Sequence, residues 1–321
     1  MVIVANLDDW FRITKNVGKT SITSDPAFIE VISNVFNVRP FIVVVYKYEE
    51  PLLGCVLYKK GNSITHPLSN IYTSIWLNSS SDLLIQETML FWLTELIKYF
   101  KRIEFNLPPE IADIRVFYHV GFKAYTYYTY INNLENAITI KPKIENLIKR
   151  AENQEIEFNW NDKSIDLIKQ QTDSFKSLGY KKNYTHKIEL VIKKLLELGM
   201  LIPVSAREKN TRDLLASSYI LSDYYNKTAL NLFLTSDKKN YNTGVHSAIY
   251  FRNLQFLKSE GYRFFDLCGA TTLGIGNFKA NFRGDLTPFY IVKFSRLRWN
   301  AILITRNFKK FMMSLKNRLN F

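Results

Sequence analysis

Cysteine and histidine are the first scarcities of this 321-residue chain. Its two cysteines, Cys55 and Cys268, sit in separate halves within apolar runs. That excludes a disulfide framework and a cysteine-rich zinc site, and fits a reducing compartment. The four histidines, His66, His119, His186 and His246, are dispersed with no HxxxH or HxH spacing, so no metal is implied. Long apolar runs are missing as well. No segment approaches the roughly 18 uninterrupted apolar residues of a membrane span, and the N-terminus, MVIVANLDDWF, lacks the basic region that opens a secretory leader. A soluble, cytoplasmic protein is the expectation. Glycine and proline are sparse, at 12 and 9 residues, and there is no bias towards Ser, Gln or Glu, so the chain is neither disordered nor fibrous. No Gly-x-Ser-x-Gly elbow, Walker loop or dinucleotide fingerprint occurs, which leaves hydrolase, NTPase and Rossmann readings without support.

What is present is apolar, aromatic and basic. With 47% hydrophobic and 15% aromatic residues, the chain has material for a sizeable core, in about two domains or one large one. The net charge is +14, and Leu286 to Phe321 carries eight basic residues and no acid, so more than half of the excess lies in that tail. From Ile304 to Leu319 the apolar residues Ile304, Phe308, Phe311, Met312, Leu315 and Leu319 recur every three or four positions, with Arg306, Lys309, Lys310, Lys316 and Arg318 mainly on other faces. This predicts a basic amphipathic helix. It has three readings: packing on the protein's own body, lying on an anionic bilayer as a peripheral contact through residues 304–319, or touching a tRNA backbone.

Periodicity divides the chain into two halves with one order of elements. Ala27 to Phe36 follows Ser24-Asp25-Pro26, an N-cap with proline in the first turn, and reads as a helix. Phe41–Tyr48, Leu52–Lys59 and Ile71–Leu77 read as strands, the first two as a hairpin. Ser81–Phe100 has apolar residues at 84, 85, 89, 92, 93, 96 and 97 and reads as a helix that buries Trp92. Arg102–Asn106 and Ala124–Ile131 read as strands, the second with one aromatic face from Tyr125, Tyr127, Tyr128 and Tyr130. The second half reads as helices at Ile144–Glu152, Ser164–Ser177, His186–Leu198 and about Val245–Glu260, with a short helix at Gly276–Phe282. Its strands are Glu155–Phe158, Met200–Arg207, Asp213–Ser222, Leu230–Thr235, Arg263–Leu267 and Phe289–Phe294. A duplicated α+β unit is the expectation.

The stretch Gly261 to Val292, GYRFFDLCGATTLGIGNFKANFRGDLTPFYIV, carries the most information. A helix ends in Gly261, a strand carries Asp266, a Gly-rich turn follows at Gly269, and then comes Phe278-Lys279-Ala280-Asn281-Phe282. This segment resembles the C-terminal part of the FemABX peptidyltransferases and their relatives in the GNAT acyltransferase superfamily. Lys143 to Ala151 looks like that family's basic helix between the halves, and Asn70 to Trp76 like its N-terminal aromatic strand. The resemblance covers about residues 25–295, and Asn-Phe-Arg-Gly departs from the commoner ending of the motif.

The resemblance implies an α+β fold of two tandem GNAT-like units, each a mixed, mostly antiparallel sheet flanked by helices. They would span residues 1–140 and 141–295, the second with the active site, followed by a tail at 296–321. A GNAT unit holds its acyl carrier where two parallel strands splay apart and leave backbone amides free for the carrier and the oxyanion. Here those strands are Leu230–Thr235 and Arg263–Leu267. Lys238, Lys239, Gly244 and His246, at the start of the intervening helix, are candidates for binding the donor, with phosphate at the helix N-terminus. The alternative is a solvated loop, with His246 either a proton shuttle or a polar helix position. Lys279 is the candidate catalytic cation, against a surface lysine whose stem covers apolar neighbours. Asp266 is a candidate base, against a cap for the following amides. Phe278 and Arg283 are candidate substrate contacts, against a core anchor and a solvated charge, and Tyr72 and Trp76 are acceptor contacts implied by the family. The implied activity is an acyl- or aminoacyltransferase that forms an amide on an amine acceptor, a cell-envelope precursor or sugar. The donor is acyl-CoA or aminoacyl-tRNA, and no metal takes part. The competing class is a non-catalytic binder of nucleic acid or anionic membrane that retains the fold.

Overall fold

The computed structural model describes residues 2–3, 6–237, 240 and 243–300. Lys238, Lys239 and the amphipathic segment Ile304 to Leu319 lie outside them. The first half runs β1 (Val2–Ile3), α1 (Leu7–Asn16), α2 (Pro26–Phe36), β2 (Arg39–Lys47), β3 (Glu50–Lys60), β4 (Ser63–Thr65), β5 (Ser74–Leu77), α3 (Asp82–Tyr99), β6 (Arg102–Leu107), α4 (Arg115–His119) and β7 (Lys123–Asn133). The second runs α5 (Pro142–Glu152), β8 (Ile156–Asn159), α6 (Ile165–Ser177), α7 (Lys182–Glu197), β9 (Leu201–Glu208), β10 (Leu214–Asp223), β11 (Thr228–Ser236), α8 (Val245–Ser259), β12 (Phe264–Asp266), α9 (Leu273–Lys279) and β13 (Asp285–Ser295). Each half therefore has a helix pair, antiparallel strands, a long helix, a strand, a short helix and a last strand.

Local chemistry accounts for the helix starts. The Asp25 carboxylate accepts from the Ala27 amide at 2.8 Å while Pro26 occupies the first turn, so α2 begins with two of its N-terminal requirements met. Ser81 caps α3 in the same way through the Leu84 amide. At the far end of α3, the Arg296 guanidinium donates to the carbonyls of Ile97, Lys98 and Phe100 and satisfies acceptors that the last turn leaves open.

The described strands join in one sheet of order β1-β2-β3-β4-β6-β13-β7-β12-β11-β10-β9-β8, with β5 beside β3. Most pairs are antiparallel, and the parallel ones are β4 with β6 and β11 with β12. The two halves exchange their last strands. β13 pairs with β6 of the first half, β7 pairs with β12 of the second, and β7 and β13 pair with each other at the centre. One cluster of buried side chains lies beneath α1, α2, α6 and α7. A second lies under α3 and contains Trp92, which is 1% exposed, and a third lies between α5, α8 and the second half of the sheet.

The structure departs from the sequence reading in places. α1 and α4 are helices that the pattern left unassigned. The tyrosines of β7 do not share one face. Its register with β13 runs unbroken from Lys123 to Ile131, so strict alternation sends Tyr125 and Tyr127 to one face and Tyr128 and Tyr130 to the other. Tyr127 accordingly packs against Phe289 with the rings tilted, whereas Tyr130 packs against the cluster under α8.

Candidate functional site

β11 and β12 pair in parallel over only three positions, Thr228 with Phe264, Ala229 with Phe265 and Leu230 with Asp266. β12 then ends, whereas β11 runs on to Ser236. Immediately past the last pair, β11 carries a bulge: Phe233 faces Tyr219 and Asn231 faces Ile220, which leaves Leu232 as the extra residue. A bulge bends a strand and re-aims its amides. On the other side, the chain leaving β12 is drawn towards β7, with the Leu267 amide bonded to the Tyr130 carbonyl at 2.8 Å and the Ala270 amide to Tyr128 at 2.6 Å. The ladder between β11 and β12 opens into a cleft, and the Asn231 amide faces the Cys268 sulfur across it.

Asp266 stands at the apex of that cleft and is 3% exposed. Its carboxylate accepts from the Tyr72 hydroxyl at 2.8 Å, from the Thr129 hydroxyl and from the Cys268 amide at 2.7 Å. Burial pushes this carboxyl up, and the three donors and nearby Lys279 oppose the shift. Of its two readings, the cap over the following amide is present in the geometry. Lys279, 7% exposed, lies in the last turn of α9. Its ammonium donates to the Leu267 carbonyl at 2.6 Å, to Gly269 at 3.0 Å and to Cys268 between them. Three N–H bonds meet three acceptors, an arrangement that requires the charged form although burial lowers its pKa. Lys279 is thus no surface lysine, and its donors are engaged by the turn itself.

Aromatic packing fills the flank under α8 and α9. The Phe278 ring lies 5.0 Å from His246, 5.3 Å from Tyr250 and 5.4 Å from Phe282, so it serves as a core anchor. Its exposed edge lines a cavity of about 480 Å³ with Lys141, Lys143, Asn277 and Asn281. Burial, and secondarily Lys279, lower His246 to about 4, so the imidazole is neutral near pH 7, with Nδ1 3.1 Å from the Ser236 hydroxyl. Gly244 caps α8 at φ +86°, and a Cβ there would lie 2.1 Å from the Leu147 carbonyl oxygen. Glycine is needed for the close approach of α5, and that approach sets a carbonyl dipole against the end of the helix that would receive a phosphate. Arg283 is exposed at φ +51° and makes no ion pair among the described residues.

On the opposite face of the sheet, Tyr72, Phe289 and Tyr127 form a connected run of rings, at 5.4 Å and 5.8 Å, from Asp266 out to solvent. Tyr127 is 37% exposed at its outer end. Glu110, exposed in the turn after β6, has its carboxyl raised by desolvation and then by the charges of Asp266 and Asp223. Trp76 lies elsewhere. It is 5% exposed, stacked 6.0 Å from Trp10 with its indole N–H on the Thr14 hydroxyl, which corrects the expectation of an acceptor contact there. Thr129 carried no sequence signal of its own, because it joins the site only through strand pairing, and Tyr127, read only as part of an aromatic face, reaches it in the same way.

The comparisons are structural. No family model matches the sequence, and no curated protein does. The fold is that of FemX. The FemX crystal structure superposes at a TM-score of 0.64 over 90% of this chain and 96% of that one, with 9% identity. A tandem GNAT protein from the clavulanic acid biosynthesis pathway superposes at 0.56, with 8% identity, covering 92% and 98%. L-PGS from Bacillus licheniformis superposes at 0.54, with 14% identity, covering 94% and 96%. The expected α+β architecture of GNAT type is thereby shown, and no described helix is long and apolar enough to cross a membrane.

Proposed function

We propose that this chain is an acyltransferase of aminoacyl type, which moves an acyl group from an activated ester to an amine and forms an amide. The observation that carries the reading is the opened parallel ladder: bulged β11 on one side, and a turn fixed by Asp266 and Lys279 on the other. An arrangement of this kind supplies preorganised donors for a developing oxyanion without a metal.

Two features favour aminoacyl-tRNA over acyl-CoA as donor. Phe278 packs between α8 and α9 against His246 and Tyr250, on the flank of the cleft by which a pantetheine arm would leave it. The Leu147 carbonyl stands at the N-terminus of α8, where a pyrophosphate would sit. The acceptor amine, on a cell-envelope precursor or sugar, enters past the Tyr127 and Phe289 rings, which suit the apolar face of a sugar. The neutral amine attacks the ester carbonyl, the C–N bond forms as the C–O bond breaks, and the ribose hydroxyl leaves. The proton released by the amine passes through water to the departing ribose oxygen, which leaves as the hydroxyl. Phe278 and Lys279 hold the cleft in shape, and Arg283 is the exposed cation for an anionic group of the acceptor.

The test mixes the protein with tRNA charged with labelled amino acids, or with labelled acetyl-CoA, and with amine acceptors that include amino sugars and lipid-linked peptides. Amide-linked label from charged tRNA is expected. Binding of RNA or anionic vesicles without transfer from either donor would establish the non-catalytic class instead.

A further inference from the structure

Lys279 holds three successive carbonyls, and the other side of the same turn is what this leaves for chemistry. Cys268 and Gly269 lie at φ +52° and +49°, a left-handed pair that turns the carbonyls of Leu267, Cys268 and Gly269 to one side, onto the Lys279 ammonium. In a trans peptide the N–H points opposite to its carbonyl. The amides of Cys268, Gly269 and Ala270 therefore face away from Lys279. The first is bonded to the Asp266 carboxylate at 2.7 Å and the third to the Tyr128 carbonyl at 2.6 Å. The middle one, the Gly269 N–H, has no acceptor among the described residues, and Gly269 is exposed. Successive amides turned to one side form an anion-binding concavity. Here two neighbours are pinned by internal partners and one is left open at the cleft.

We propose that the Gly269 amide is the donor that meets the oxyanion of the transferred carbonyl, and that Lys279 is a positioning residue that acts through this turn without touching substrate. The proposal rests on the transferase reading above and names the group that serves it. It accounts for a buried lysine whose three protons are already spent on main chain, an arrangement that leaves none for a substrate. Glycine suits the position because its φ is +49°, a left-handed conformation that it adopts without strain.

The experiment is a titration of the full-length, 15N-labelled protein with aminomethylphosphonate, a tetrahedral anion that mimics the intermediate of aminoacyl transfer. The Gly269 amide resonance is expected to move downfield and saturate, while the Lys279 ammonium resonance stays in place. In Lys279→Met the Gly269 response should disappear. Lys279→Gln, whose amide still donates to part of the turn, should weaken the Gly269 response without abolishing it and covers the case in which Lys279→Met does not fold. A shift of the Lys279 ammonium with a silent Gly269 amide would overturn the proposal, as would silence of both or an undiminished Gly269 response in folded Lys279→Met. With a transferring donor in hand, an ester in place of the Gly269 amide should lower kcat by about 10²–10³-fold and leave KM nearly unchanged. Phosphonate binding without any transfer would sink the transferase reading alone. Transfer with a silent Gly269 amide would sink only this proposal.

Discussion

The two parallel strand pairs, β4 with β6 and β11 with β12, occupy equivalent places in the repeated element order, and they meet opposite fates. In the first half, β4 pairs with β6 only at Ser63 and Ile64, and the chain that follows folds straight back into the gap. The Thr73 amide bonds the Asn106 carbonyl at 2.9 Å, the Asn106 side chain bonds the Ile71 carbonyl at 3.0 Å, and His66 is held by the Asn70 carbonyl. Ser69, Asn70 and Thr73 are each 2% exposed. In the second half, β11 bulges and runs on while the turn after β12 is pulled away to β7, so the equivalent gap stays open. One topology thus yields a wall and a cleft, and the difference is whether the chain after the first parallel strand returns. The plugged half still serves the open one, because the plug delivers Tyr72 to Asp266.

The largest expected effect tests whether the exchanged strands make the halves one unit. Trp92 lies in the core of the plugged half, and Trp92→Ala is expected to cost about 3–5 kcal/mol. Because β7 and β13 each pair with the other half, a single unfolding transition should shift as a whole in calorimetry. Two transitions, of which only one moves, would break the comparison. Next comes the clamp on the open side. Lys279→Met leaves three carbonyls without their donor and is expected to lower stability by about 1–3 kcal/mol in urea unfolding, together with the loss of turnover. An unchanged midpoint would place the ammonium elsewhere in solution. Smaller again is the link between the halves. Tyr72→Phe removes one hydrogen bond to a buried carboxylate and should cost about 1–2 kcal/mol, with a further rise in the Asp266 pKa observable by NMR.

The smallest effect is a pH dependence that compares the two gaps directly. His66 in the plug and His246 beside the cleft are both lowered to about 4, chiefly by burial. A lowered histidine is neutral when folded and takes up its proton when unfolded, so each contribution is complete above about pH 6.5 and is lost as the pH falls towards 4. The carboxyls of Asp266, Glu110 and Asp223, raised by burial, act in the opposite sense and are common to all variants. His66→Gln and His246→Gln should each flatten the acid side of the stability profile relative to wild type. Equal acid slopes in all three proteins would show that neither imidazole is buried in the neutral form.

Much of this architecture was legible in the sequence because it is local. The spacing in Ser81–Phe100 gives α3 nearly to the residue, and Asp25-Pro26 marks the start of α2. The strands of the open cleft were also readable, since Leu230–Thr235 and Arg263–Leu267 are short apolar runs bounded by turn residues. Strand exchange was not readable, because the choice between β6 and β12 as a neighbour depends on contacts far apart in the chain. The plug was misread in part: Ile71 to Leu77 has strand-like composition, but only Ser74–Leu77 pairs, while 71–73 fill the gap as irregular chain. Lys279 was located by motif and not by chemistry. Its partners are main-chain carbonyls, which leave no trace in residue identity. The acceptor role for Trp76 failed because a tryptophan on a strand beside glycine packs inward. A Cβ at Gly54 would lie 2.2 Å from its ring, so that glycine exists to receive it.

The central claim is that the opened ladder is where transfer occurs, and Cys268 permits a direct test. Cys268 is part-exposed at the cleft, with its sulfur facing the Asn231 amide and burial pushing its thiol well up, whereas Cys55 is fully buried in β3. Burial raises both thiols, so thiomethylation is slow at either, but prolonged exposure to the reagent should modify the part-exposed Cys268 ahead of the fully buried Cys55, with the site of modification read by peptide mass. Transfer of labelled amino acid from charged tRNA to an amine is then compared before and after modification, with Cys268→Ala as the control. The account predicts that modified wild type loses transfer, whereas Cys268→Ala retains it and is insensitive to the reagent. Undiminished transfer by protein modified at Cys268 would contradict it.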